Sequence, residues 1–294
     1  MTTTLVTGAG GFIGHPLVER LRERGDTDVV ALQRSDVALE ALDRAYWKER
    51  GIDAIDVVLH FGAYTPKDAA SADLTEPIVT NNVEGTAALL RSLPNVPQHL
   101  LFASSLDVYK RVAGQTIDEQ SAIGPATLYG ASKFFGEELV RTYARATGCA
   151  YSIVRIGHIF GPGEERYKRL IPTLIRTMLG GGQPVLGGDG STLRDYLYID
   201  DTVGAIVAAA ALTASADPIN IVRGESLTLL EIATAIAALT GYAGTFRFVG
   251  DNGDSLRFDN RVMVERLGIR EFVPFREGLA REIARFRETE FPAR

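Results

Sequence analysis

Along residues 1–156, apolar positions fall in short runs, and these alternate with stretches of helical spacing. Thr2–Thr7 has the pattern of a compact strand, and Asp28–Gln33, Asp56–Phe61, His99–Ala103 and Tyr151–Ile156 repeat it with β-branched and aliphatic side chains. Between them Leu17, Val18 and Leu21 mark a first helix. Further helices are predicted over about Val37–Arg50, about Leu74–Leu93 and through Tyr129 and Lys133. Strand and helix in strict alternation call for a parallel sheet with helices on both faces. Ligands of such sheets lie beyond the carboxyl ends of the strands. Gly8, Phe61-Gly62-Ala63, Ser104-Ser105 and Ile156-Gly157-His158 all fall at those ends.

Past His158 the pattern loosens. A basic helix is predicted near Tyr167–Leu179, followed by a glycine-rich stretch, a helix at Thr202–Leu212 and a strand at Ile219–Val222 that rejoins the sheet. Helices near Leu229–Leu239, Arg261–Leu267 and Glu277–Arg287 complete a smaller lobe. The expected organisation is therefore α/β: a doubly wound parallel sheet from residues 1–157 plus about 195–224, and a substrate-binding lobe from about 158–194 and 225–294. No internal repeat or low-complexity linker interrupts it.

Composition narrows the partners. The 294 residues carry a net charge of −6 and no basic run, which argues against nucleic acid or an anionic membrane as the main partner. The longest apolar run, Val203 to Leu212, is half the roughly 20 residues a spanning helix needs. The sequence enters a strand at once, leaving no room for a signal peptide, and its single cysteine, Cys149, precludes an intramolecular disulfide. A cytoplasmic location is the expectation, with Cys149 a packed thiol and no metal ion.

Two stretches carry candidate chemistry. Gly8-Ala-Gly-Gly11-Phe12-Ile13-Gly14 joins the first strand to the first helix, where glycines let backbone N–H groups approach a phosphate and the helix dipole favours its charge. In such a position the turn marks a dinucleotide site. Tyr129 and Lys133 stand one helical turn apart. For a phenol to work near neutrality its phenolate needs about 4 kcal/mol of stabilisation. One ammonium about 4 Å away supplies approximately that at an intermediate dielectric. Ser105 then holds a substrate oxygen while Tyr129 gives or takes its proton. A chance pair on an amphipathic helix is the competing reading, and neighbouring motifs decide between them.

Those motifs occur in order: Thr7-Gly8-x-x-Gly11-x-x-Gly14, His60-Phe61-Gly62-Ala63, Asn82-Val-Glu-Gly-Thr86, Ser104-Ser105-x-x-Val-Tyr109, Tyr129-x-x-x-Lys133, Arg155 with Gly161-Pro162, and Arg194-Asp-Tyr-x-Tyr-x-Asp-Asp201. Over nearly its full length the chain resembles the extended short-chain dehydrogenase/reductases, in particular the nucleotide-sugar epimerase/dehydratase group. The resemblance implies a Rossmann domain, bound NAD or NADP, and a catalytic triad of Ser105, Tyr129 and Lys133. It places Gly8, Gly11, Phe12, Ile13, Gly14, Arg34, Phe61, Gly62, Ala63, Asn82, Tyr129, Lys133 and Ile156 at the cofactor. Ser105, Asp107, His158 and Arg194 fall at the substrate, and a homodimer through the helices around 74–93 and 128–147 is implied.

Departures from the family pattern refine this. Where 4,6-dehydratases carry an Asp-Glu pair after the catalytic hydroxyl, this chain has Leu106 and Asp107. Leucine moves no proton, which disfavours dehydration; Asp107 reads as a substrate hydrogen-bonder or a structural cap. Gln33-Arg34-Ser35 replaces the acidic residue of NAD-preferring members, and an arginine there suits a 2′-phosphate. NADP is therefore the expected cofactor, with NAD as the alternative and a solvated Arg34 the bland reading. His158 replaces an asparagine, and Asp251-Asn-Gly-Asp254 is acidic where an arginine is usual, so one anion clamp is lost unless Arg166, Lys168, Arg169 and Arg176 compensate. The leading expectation is NADPH-dependent reduction of a keto-sugar nucleotide. The alternatives are an NAD-dependent 4-epimerase, a reductase of a small non-sugar ketone, and a non-catalytic NADP-sensing protein.

Overall fold

The computed structural model describes residues 2–67 and 70–292. By contact density the chain falls into two compact units, one of residues 1–110, 121–156 and 203–220, the other of 111–120, 157–202 and 221–294.

The first unit is built on a six-stranded sheet in the order 216–221, 150–156, 99–105, 57–60, 2–7, 27–32. Pairings across the last five strands are parallel, with Leu5 opposite both Val30 and Val58, and Phe102 opposite both His60 and Ile153. Strand 99–105 is buried along six of its seven residues, as expected where helices cover both faces. Leu5, Trp47, Ile55, Val58, Leu89, Leu100, Phe102, Val140 and Ile153 form one core.

Three predicted helices differ in form. Val37–Arg50 becomes a 3₁₀ turn at Leu39–Ala41 and a short helix Arg44–Glu49, because Asp43 is extended and its carboxylate accepts the Tyr46 N–H, starting the helix late. Leu74–Leu93 is α at Thr75–Ile78, π at Val79–Glu84 and α again at Gly85–Ser92. The basic helix begins only at Leu170, leaving Arg166, Lys168 and Arg169 ahead of it. Elsewhere element ends move by up to three residues: the strand predicted at Ile219–Val222 runs from Ala216 to Ile221.

The second unit has a three-stranded sheet ordered 226–228, 193–198, 158–160 and two small strand pairs, 185–187 with 247–249 and 116–117 with 257–258. Helices Leu170–Leu179, Leu229–Thr240 and Phe275–Thr289 supply its core through Ile171, Ile175, Ile232, Ile236, Leu279 and Phe286. Helix Leu229–Thr240 opens on a capping box, Thr228 with Glu231. Among the described residues no helix is long and apolar enough to cross a membrane.

Candidate active site

The glycine turn lies at the first strand-to-helix junction, with helix Gly14–Arg24 starting behind Ile13 and no acidic residue in its first turn. Gly8 has φ +70°, and a Cβ there would come within 2.8 Å of Gly62 N and of Phe61 backbone atoms. Only a glycine lets the turn approach the 61–63 loop so closely. Phe12 is buried, whereas Arg34 is exposed beyond strand 27–32. Two residues flanking Arg34 shape that strand's end. The Gln33 side chain packs over Gly10, and the Asp36 carboxylate accepts the Gln33 N–H at 2.9 Å. The Gln-Arg-Ser-Asp run was the available signal. The backbone here is a cradle that added side-chain atoms would fill, as a dinucleotide's phosphate and ribose require.

Ser105 ends strand 99–105 and caps the turn Leu106–Val108, its Oγ accepting the Asp107 N–H at 3.2 Å. The cap is thus Ser105, and its own hydroxyl proton stays available for an acceptor. Tyr129 occupies the first turn of helix Leu128–Thr147, which begins where the Thr127 Oγ1 accepts the Gly130 N–H at 3.1 Å. An added Cβ at Gly130 would lie 3.0 Å from the Asp107 carbonyl carbon, so this glycine lets the helix start close against the serine turn.

Lys133 is only 4% exposed, its Nζ 4.5 Å from the centre of the Phe102 ring. Burial pushes it down to about 8, while Glu137 pulls the other way. A lysine so placed gains from a neighbouring negative charge, which is the role proposed for it beside a phenolate. Asn82 is buried in the π turn; its Nδ2 donates to Ser132 Oγ at 3.0 Å and its Oδ1 accepts the Tyr64 N–H at 2.7 Å. Such π turns favour functional sites. Ile156 closes strand 150–156, one residue before the second unit begins.

Some motif residues are structural. Tyr109 is 1% exposed; its hydroxyl donates to Asn220 Oδ1 at 2.7 Å, and Arg155 lies over its ring at 4.6 Å. Cys149 is buried, and burial pushes its thiol up to about 11, as for a packed, unreactive cysteine.

In the second unit His158 opens strand His158–Phe160, paired opposite Tyr196 with ring centres 5.5 Å apart. Arg194 Nη1 donates to the carbonyls of Leu193 at 2.8 Å and Asp254 at 2.7 Å. Burial lowers Arg194's proton affinity and the charge of Arg111 adds to that effect, so the two guanidinium groups are electrostatic neighbours. Arg111 was missed because nothing in a loop's sequence reveals where it folds back. Three of the four basic residues at 166–176 have neighbours of their own. Arg176 is committed to Glu290 at 2.7 and 2.8 Å, Arg169 lies 4.0 Å from Glu164, and Arg166 donates to the Gly163 carbonyl at 3.2 Å.

A family model described as the NAD dependent epimerase/dehydratase family matches residues 4–222. The chain belongs to this family. It is an enzyme of the extended short-chain dehydrogenase/reductase type, in the nucleotide-sugar epimerase/dehydratase group, with the Rossmann-like sheet expected of it. It is 29% identical over 309 residues to a UDP-glucose 4-epimerase of Mycolicibacterium smegmatis, covering 97% of this chain and 98% of the relative. A dTDP-glucose 4,6-dehydratase of the same organism is 30% identical over 223 residues, 69% of this chain and 66% of the relative. The structure of MoeE5 in complex with UDP-glucose and NAD superposes with a TM-score of 0.86 at 28% identity, covering 98% of this chain and 99% of that one.

Proposed function

We propose that the protein is an NAD-dependent nucleotide-sugar 4-epimerase acting on a UDP-hexose. The observation that carries this reading is the end-to-end likeness to a UDP-glucose 4-epimerase. Leu106 supports it, since a buried leucine beside Ser105 supplies no acid for eliminating water, the step a dehydratase needs. Reduction of a keto-sugar by NADPH, the leading expectation from Gln33-Arg34-Ser35, has less behind it than epimerisation in a family named for NAD.

Bound NAD would accept a hydride from the sugar carbon and return it. The residues that would hold it are Gly8, Gly11, Phe12, Ile13 and Gly14 at the glycine turn, Phe61-Gly62-Ala63 and Asn82 beside it, and Ile156, with Tyr129 and Lys133 at the reacting end. Ser105 donates its uncommitted hydroxyl proton to the substrate oxygen. Tyr129 takes the proton of the C4 hydroxyl and returns it after the ketone turns over. Lys133 lowers the phenol's hold on that proton through its charge. Arg194 and Arg111 would hold the diphosphate, which relieves the repulsion between two neighbouring cations. Asp107 and His158 would bind the sugar.

Incubation with UDP-glucose and coenzyme far below the substrate concentration tests the reaction. Conversion to the 4-epimer should continue past many equivalents of coenzyme; turnover that stops at one equivalent and requires NADPH would favour the reductase. Arg34 bears on coenzyme choice: the dissociation constant for NAD should be lower than for NADP, and unchanged in Arg34→Ala. NADP binding the tighter, and weakened by that substitution, would restore the NADP reading. The homodimer would use the exposed Phe135 and Leu74, 51% and 48% accessible, and Phe135→Glu should then yield monomers in sedimentation.

A further inference from the structure

We propose that His60 is a positioning residue: a neutral imidazole that ties the 61–63 loop to the first turn of the Tyr129 helix through one directional chain of hydrogen bonds. The proposal rests on the reading of Tyr129 and Lys133 above and adds a residue that touches neither substrate nor cofactor.

Counting protons fixes the direction of the chain. Gly62 N–H donates to Thr7 Oγ1 at 2.9 Å, and Thr86 Oγ1 spends its proton on the Asn82 carbonyl at 2.6 Å. The bond between Thr86 Oγ1 and His60 Nε2, 3.0 Å long, must therefore be donated by the imidazole. Nδ1 is left bare and accepts the Thr7 hydroxyl at 2.7 Å. From Asn82 the chain continues through Nδ2 to Ser132 Oγ at 3.0 Å, and Ser132 donates to the Tyr129 carbonyl at 2.7 Å. Every hydroxyl in it donates once and accepts at least once.

A protonated His60 would break this order, because Nδ1–H would then point at the Thr7 hydroxyl proton. Its surroundings forbid that state: the ring is 1% exposed, and burial with the nearby charge of Lys133 pushes it down to about 3. The repulsion acts both ways. A neutral His60 adds no second positive charge to the buried surroundings of Lys133. A histidine serves where two threonines need one donor and one acceptor on a rigid ring, and where no charge can be afforded.

The test uses His60→Leu, which removes both bonds, and His60→Gln, whose amide keeps one donor and one acceptor without titrating. In the parent protein, ¹⁵N spectra of the imidazole should show a protonated Nε2 and a bare Nδ1, unchanged from pH 8 to pH 5. NAD dissociation constants should rise at least about tenfold in His60→Leu, the loss expected when buried partners go unpaired, and recover to within about threefold in His60→Gln. Thr86→Val should weaken NAD binding similarly, and His60→Leu/Thr86→Val no further, since one chain is cut only once. With UDP-glucose, kcat should follow the same order at constant KM.

An imidazolium signal above pH 5, the opposite tautomer, or additive losses in the double variant would overturn the proposal. So would a folded His60→Leu with parental NAD affinity; should that variant not fold, His60→Gln and Thr86→Val decide alone. Tyr129→Phe keeps the two questions apart. If it retains full activity the catalytic reading fails, while the spectra and NAD affinities still judge His60.

Discussion

Glu137 and Glu164 are both 0% exposed glutamates, one in each unit, and their surroundings are opposite. Glu137 is met by Arg155 in a two-pronged contact at 2.9 and 2.8 Å, by Ser104 Oγ at 2.6 Å and by Arg141 Nη2 at 3.0 Å. Burial works against the Arg155 charge, yet its bonds to Glu137 win and raise its proton affinity. Glu164 receives no hydrogen bond at either oxygen, the equally buried Glu282 is approached only by the Gly161 backbone, and Arg169 lies 4.0 Å from Glu164. Burial pushes Glu164 up to about 8, and raises Glu282 well above its ordinary value, with Glu164 next among the causes. A buried carboxyl stays charged where donors converge on it and keeps its proton where they do not.

The largest effect should come from breaking the paired site. Arg155→Met strands the Glu137 charge and should cost about 3–5 kcal/mol in urea unfolding; a loss below 1 kcal/mol would show that Glu137 is not held as an ion. The unpaired site should respond to pH instead. A carboxyl whose folded pKa lies above its unfolded one stabilises fully below about pH 4.5, and that stability is lost as pH rises to about 8. The unfolding free energy should therefore fall across this window, by an amount on the order of 1–3 kcal/mol, and Glu164→Gln should flatten the slope. A parent slope unaltered by that substitution would assign the loss elsewhere. Ser104→Ala, which removes one of several donors to Glu137, should cost only about 1 kcal/mol. Smallest of all, Arg281→Ala breaks the exposed pair with Glu277, whose side chains are 46% and 51% accessible, and should leave the urea midpoint unchanged within the error of the measurement.

The same contrast explains which parts of the molecule were legible in the sequence. The strands of the first unit follow from local runs of aliphatic residues, and their order along the chain called for the parallel sheet. Gly8, Ser105, Tyr129 and Lys133 were found because their chemistry depends on short spacings. The 37–50 and 74–93 stretches were misjudged because a cap at Asp43 and a π turn at Val79–Glu84 add no apolar signal. Arg111 was not legible, and what Gln33 and Thr86 touch depends on contacts between distant segments. The basic residues at 166–176 offered one replacement for the lost anion clamp in sequence, whereas the fold commits Arg176 to Glu290 and Arg166 to the Gly163 carbonyl.

By itself the sequence determined the alternation of strand and helix, the glycine turn and the Tyr-Lys pair, since each is a property of residues within a few positions of one another. Only the tertiary structure decided which face of helix Leu128–Thr147 turns inward. Apolarity alone would bury Phe135, which is 51% exposed, and leave Lys133 and Glu137 in water; instead these two are 4% and 0% exposed. The reason is that a buried charge is tolerable only when its partners arrive from elsewhere in the chain, as Arg155 and Ser104 do, and no local pattern records their arrival.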